Sequence, residues 1–232
     1  MSDLLKPVLP GEGGSDYERY LRTDELLSLQ KGPSEWVHRD ELLFQSVHQT
    51  SEIWLKLAWN EAEEAGRLVA AGDLPSAIRL LRRANDCLKI VTTTLDMLEH
   101  MSPWEYTEVR KVLGHGSGFD SPGFIELRRV AKPLWEAFRA ACEQAELTLV
   151  DVYTRGREFE ELYLLAEQLI ELDERVIVWR VRHFKVVQRV IGGDVVGTQG
   201  TPVEVMGRLI HHSFFPDLWD VRNDLTRMNL PE

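Results

Sequence analysis

Two histidines and one arginine pose the chemical question in this chain. His48, in the stretch "FQSVHQTSEIW", shares a helical stripe with Phe44, Val47, Ser51, Trp54, Leu55 and Ala58, a spacing that aims its imidazole inward. His183, in "VWRVRHFKVVQRV", shares another stripe with Val176, Trp179, Arg180, Val187 and Val190. A buried imidazole needs a partner, because an unpaired buried polar group costs about 1–3 kcal/mol. Two readings of each histidine stand: a hydrogen-bonded core residue, or a ligand to something bound. A single axial histidine is all that haem iron requires, and spacing alone leaves the choice open. Arg110 follows "WEYTEV" one turn before Gly114, beside the glycine-rich loop "GHGSGFDSPG". A guanidinium there can clamp a carboxylate through two parallel hydrogen bonds, or can merely sit at the negative end of a helix dipole.

Other site chemistries find little material. Cys87 and Cys142 are the only cysteines and both fall in helical segments, so neither a disulfide framework nor a thiolate zinc cluster can be built. There is no "HExxH" and no pair of "ExxH" helices in bundle register, and the adjacent His211 and His212 point to different faces. The glycine-rich loop lacks the lysine and spacing of a phosphate-binding P-loop.

The elements that must hold these residues are helical throughout. A chain of 232 residues with 44% apolar content can bury one core, and we expect a leader over 1–14, loose and rich in proline and glycine, followed by one domain over 15–232. One or two short helical turns are expected over 15–30, with Tyr17 and Tyr20 three apart, and a long helix over 34–71. In the next helix Ala77, Leu81, Ala84, Leu88, Val91, Leu95 and Leu98 alternate steps of four and three, the seam of a bundle. "SPWE" opens a short helix that ends at Gly114, and helices follow over 122–153, with an interruption allowed, and 157–191. "GGDVVGTQGT" breaks the chain before two shorter helices divided at residues 213–215. No convincing strand period and no fixed repeat are present, so the expected fold class is all-α, a bundle of long helices.

Charge narrows the partners. The formal charge of −11, with 27 basic and 38 acidic residues, repels phosphate backbones, so no nucleic acid is expected. No signal peptide and no apolar run of the roughly 18 residues needed to span a bilayer is expected, which suggests a cytoplasmic protein without membrane attachment.

With these residues in view, the chain resembles the tryptophan 2,3-dioxygenase family. "YERYLRTDELLSLQ", "LLFQSVHQTSEIWLKL", "MSPWEYTEVRKVLGHGSGFDS", "VWRVRHFKVVQRVIG" and "FFPDLWDVRNDL" occur in the family's order and with its residue types. The resemblance implies a helical enzyme enclosing haem b, usually tetrameric, that uses dioxygen as co-substrate to oxygenate the indole ring of tryptophan. It implies that His183 is the proximal iron ligand and that His48 is the catalytic distal histidine facing the indole N–H. Phe44 would pack on the indole, Tyr106 and Arg110 would hold the substrate carboxylate, and Ser117 would lie in the loop at the haem edge. Tyr17, Tyr20 and Leu21 would reach the pocket of a neighbouring subunit in a homo-oligomer, dimer or tetramer. The implied product is of the N-formylkynurenine type, from dioxygenation at C2–C3.

Three departures from the family stand out. The segment between the "SGF" loop and the proximal helix is short. "GGDVVGTQGT" is short too, with Thr198 as the nearest candidate for holding the substrate ammonium and Thr201 the next. The loop carries His115, Gly116 and Asp120 where arginine, serine and glutamine are usual, and an ionised Asp120 would change the pocket's electrostatics. These changes favour a substituted tryptophan, or a monooxygenase giving a hydroxylated or 2-oxindole product, as the alternative outcome. A haem and tryptophan sensor without turnover is the reading from another class.

Overall fold

The computed structural model describes residues 6–229 and contains ten α-helices joined by short 3-10 turns. Among the described residues the only extended pairing is an isolated antiparallel bridge between Val196 and Pro202, so the fold is all-α as expected. No helix among the described residues is long and apolar enough to cross a membrane.

Two short helices, α1 (Asp16–Leu21) and α2 (Thr23–Ser28), precede the long α3 (Asp40–Ala70). The expected leader begins outside the described residues. Its remainder forms no regular element, yet it is tied to α1: the Val8 and Leu9 N–H groups donate to Asp16, and Arg19 donates to the carbonyls of Leu9 and Gly13.

Helix α3 starts at Asp40, later than the sequence pattern suggests. Side chains hold the preceding stretch in a non-helical path, because the buried Glu41 carboxylate accepts from the Val37 N–H and from Lys31, and the Trp36 indole donates to the Lys31 carbonyl. Gly72, at φ +83°, turns the chain out of α3. Asp73 then caps α4 (Leu74–Thr94) by accepting from the Ser76 N–H, with Pro75 in its first turn. The expected seam is buried from Ala77 through Leu98, although its last two members lie on a 3-10 extension, Leu95–His100.

Helix α5 (Pro103–Lys111) ends before Gly114, and α6 (Pro122–Gln144) and α7 (Leu149–Thr154) divide where Glu146 takes a left-handed φ of +56°. Helix α8 (Glu160–Ile191) is followed by α9 (Val203–Arg208) and α10 (Pro216–Asn229). Alanines at 58, 62 and 65 on α3 let α4 and α6 approach closely, and an added Cβ on Gly66 would lie 3.5 Å from the Leu134 Cα. Phe138, Phe215 and leucines of α4, α6 and α8 fill this main core.

A second, smaller core lies at the other end of α3 and α8. Val47, Leu95, Leu98, Met101, Val109, Val186 and Val190 are packed there, with Phe44, Tyr106 and Trp179 at its margin. Arg182 bridges Asp96 and Glu99 while Arg189 reaches Glu99, so the 3-10 segment is fastened to α8 beside it. This end of the bundle opens into a cavity.

Candidate functional site

The cavity has a volume of about 500 Å³, within the range of small-molecule sites. Helix α3 supplies Phe44 and His48, α5 supplies Tyr106 and Arg110, and α8 supplies Trp179 and His183. Two loops complete the wall, with Ser117 and Asp120 from one and Thr198 and Thr201 from the other. All six residues of the expected α8 stripe line it. Of the α3 stripe only Phe44 and His48 line it; Val47, Leu55 and Ala58 are buried in the cores, and Trp54 is 36% exposed.

His48 faces the cavity and bonds to its own helix. Its ring is crowded by protein atoms but remains open to the cavity, and Nδ1 lies 2.7 Å from the Phe44 carbonyl oxygen, one turn back. A carbonyl can only accept, so Nδ1 carries the hydrogen and Nε2 is left as an acceptor in the neutral ring. Burial keeps the imidazole below its usual pKa of 6.5, against smaller raising effects from the Phe44 carbonyl and the Glu52 carboxylate. Phe44 packs on the same ring at 4.1 Å between centroids.

His183 stands in a drier setting. Burial pushes its pKa down to about 4, helped by the proximity of His48. Its ring stacks on Trp179 at 4.7 Å with an interplanar angle of 16°, and Trp179 in turn packs on Phe124 at 4.1 Å. Neither ring nitrogen of His183 makes a hydrogen bond among the described residues, and the buried Trp179 Nε1 is also without an acceptor. An unprotonated, unpaired imidazole at an apolar cavity is the donor that a transition metal prefers. Gly118 keeps the space beside it clear, since a Cβ there would come within 3.3 Å of the His183 Cε1.

The mouth is built from a clasp between two loops. Ser117 caps the turn Gly118–Asp120, its N–H donating to the Asp120 carboxylate. Across the opening, Gln199 donates to that carboxylate at 2.7 Å and the Thr198 hydroxyl donates to the Gly116 carbonyl. Arg110 reaches the same loop, donating to the Val196 carbonyl at 2.6 Å. Beside it, burial raises the Tyr106 phenol above its usual pKa, partly offset by Arg110, so the hydroxyl stays protonated and able to donate.

Below the mouth, Glu52 of α3 accepts from the Ser121 hydroxyl at 2.5 Å and from the Gly123 N–H at 2.9 Å, which fixes the start of α6 against the cavity. On the far side Arg180 donates to the carbonyls of Leu209 and His212. Neither Glu52 nor Asp173 stands out in the sequence. Asp173 is fully buried on α8 and accepts from the N–H groups of Phe214 and Phe215 and from the Trp219 indole, docking the chain's end on the bundle.

The expected site residues thus divide. Phe44, His48, Tyr106, Arg110, Ser117, His183 and Thr198 line one cavity. Tyr17, Tyr20 and Leu21 do not, and their exposures of 69, 78 and 46% leave them on the surface of the single chain.

Together these features define an all-α protein whose apolar cavity has histidines from two long helices in its wall and a cation at its mouth. The chain belongs to the tryptophan 2,3-dioxygenase family, whose model matches residues 7–131. It is similar to proteins named tryptophan 2,3-dioxygenase from Caulobacter vibrioides, at 32% identity over 90% of this chain and 98% of that one, and from Kineococcus radiotolerans, at 32% over 90 and 91%. A Bacillus cereus protein of the same name is 30% identical over 90% of this chain and 92% of its own length. The matched stretch spans 260 aligned positions against 232 residues here, so the relatives carry segments that this chain lacks. Residues 7–131 include His48 and Arg110, whereas His183 lies beyond them.

Proposed function

We propose that the chain is a haem-dependent oxygenase that acts on the indole ring of tryptophan or a close derivative, adding dioxygen at C2–C3. The observation that carries this reading is the pairing, in one apolar cavity, of an unpaired neutral His183 with a neutral His48 whose Nε2 is free to accept. His183 would hold the iron of haem b, which supplies the oxygen chemistry when bound.

The protein's own residues bind and orient. Nε2 of His48 accepts the indole N–H, and the Phe44 ring packs on the indole face. Arg110 and Tyr106 donate to the substrate carboxylate, and Ser117, in the loop at the cavity mouth, would lie at the edge of a bound cofactor. Thr198 still has lone pairs for an ammonium after donating to Gly116. Fixing both ends of the amino acid would orient its C2–C3 bond for the oxygen chemistry that haem would supply, and the clasped loops limit water at the mouth.

The exposure of Tyr17, Tyr20 and Leu21 supports a role for α1 at a neighbouring subunit's pocket in a dimer or tetramer. Two free buried cysteines suit a reducing, cytoplasmic setting.

Reconstitution with hemin tests the reading. Stoichiometric haem uptake that L-tryptophan perturbs in the absorption spectrum is expected, with uptake lost in His183→Ala while helix content is retained. A chain that stays colourless, or a His183→Ala variant that loads as well as wild type, would sink it. Haem uptake and a tryptophan response without any product under reducing conditions would instead make the protein a sensor.

A further inference from the structure

The proposed substrate is a zwitterion, and one of its charges still needs a built partner. Arg110 and Asp120 both line the cavity, and neither forms an ion pair among the described residues. Arg110 makes one hydrogen bond, to the Val196 carbonyl. Asp120 receives two, from the Ser117 N–H at 3.2 Å and the Gln199 side chain at 2.7 Å, and both land on Oδ2. Its Oδ1 has no partner among the described residues.

The loop that carries Val196 and Gln199 touches both charges. Three residues span at most about 10–11 Å when fully extended. Here they are folded, because the Gly200 N–H donates to the Gly197 carbonyl at 3.0 Å and the Gly197 N–H to the Thr201 carbonyl at 2.8 Å. The guanidinium and the carboxylate are both tied to one folded loop, at the mouth of one cavity. An α-amino acid offers a carboxylate for the one and an ammonium for the other.

We propose that Asp120 is a specificity-determining residue that binds the substrate ammonium through Oδ1 while Arg110 binds the carboxylate. The inference rests on the amino-acid reading above and adds to it a preference for a free primary ammonium. Tryptophans acylated on the amino group, which have lost the charge, would be rejected. Thr198 then serves the closure of the loop first, through Gly116, and the ammonium second.

The test compares dissociation constants by calorimetry on haem-loaded protein, using L-tryptophan and indole-3-propionate, which lacks only the amino group. Wild type is expected to bind L-tryptophan about tenfold or more tightly than indole-3-propionate, the size of a charge-assisted hydrogen bond. Asp120→Asn keeps an acceptor for Ser117 and Gln199 but removes the charge, and should erase most of that preference while leaving indole-3-propionate within about twofold of wild type. Gln199→Ala removes the clasp but keeps the charge, and should preserve the preference. Equal weakening of both compounds in Asp120→Asn, or an unchanged preference, would overturn the inference and leave the amino-acid reading intact. Binding of neither compound to wild type would overturn both.

Discussion

Nδ1 of His48 lies 2.7 Å from the carbonyl oxygen of Phe44, four residues earlier on the same helix. That bond selects the tautomer and makes Nε2 an acceptor. Because burial lowers the pKa from 6.5, the acceptor survives to a pH below the usual histidine range. Tryptophan affinity should therefore be flat through neutral pH and fall only below about 6.5, as His48 gains its proton. His48→Ala should weaken indole binding by about 1 kcal/mol and remove the acid limb. An acid limb unchanged in that variant would assign the titration elsewhere.

His183 makes the haem-free chain acid-sensitive. Its folded pKa of about 4 lies below the unfolded value of 6.5, so the unfolded state binds the proton first as pH falls. The stabilisation is fully present above pH 6.5 and is lost progressively down to about pH 4. The span corresponds to about 3 kcal/mol. Urea titrations across that range should show the loss in wild type and a flatter profile in His183→Gln. Parallel profiles would mean that His183 is not held neutral by folding.

Arg110, the proposed partner of the substrate carboxylate, donates to the Val196 carbonyl of the mouth loop. Arg110→Ala should weaken binding of an amino-acid substrate by about 2 kcal/mol, the lower end for a charge partner because the residue is partly exposed. Arg110→Lys should restore little, since a single ammonium cannot replace the fork. An affinity within error of wild type in the alanine variant would remove Arg110 from the site.

Asp173 satisfies three donors, two backbone N–H groups of the segment that leads into α10 and the Trp219 indole inside that helix. Asp173→Ala leaves three donors unpaired, that of Phe215 buried and the other two half-buried, and should cost about 2–4 kcal/mol in chemical denaturation. A loss below about 1 kcal/mol would mean that the segment docks by apolar packing alone.

Gly123 sits where a Cβ would approach the Leu55 Cβ to 2.5 Å and the Glu52 Oε2 to 2.8 Å. Gly123→Ala should cost about 1–3 kcal/mol by overpacking. It should also weaken haem retention, because the start of α6 moves with Glu52. Normal stability with normal retention would show that α6 can shift without disturbing the cavity.

How much of this was legible in the chain depends on sequence separation. The α4 seam and the Asp73 cap are local patterns, and both stripes that carry the histidines repeat within a few turns, so they could be read directly. Asp173 could not: in "ELDERV" it looks like another solvated charge, and the groups that bury it lie 41 to 46 residues on. The clasp of Asp120 with Gln199 joins residues 79 apart, both in loops without period, so Asp120 was legible as a charge near the pocket but not as half of a closure. The late start of α3 was hidden similarly, since the helical pattern continues upstream while Glu41 satisfies the non-helical backbone there.

The central claim, oxygenation of a tryptophan by a haem held at His183, is tested most directly by mass. Reduced, haem-loaded protein would be incubated with L-tryptophan and, separately, 3-methyltryptophan under isotopically labelled dioxygen. A ring-opened product of L-tryptophan carrying two labelled oxygens is the expected result. One labelled oxygen on an intact indole skeleton would contradict dioxygenation and make the enzyme a monooxygenase. No labelled product from either compound would contradict the claim itself.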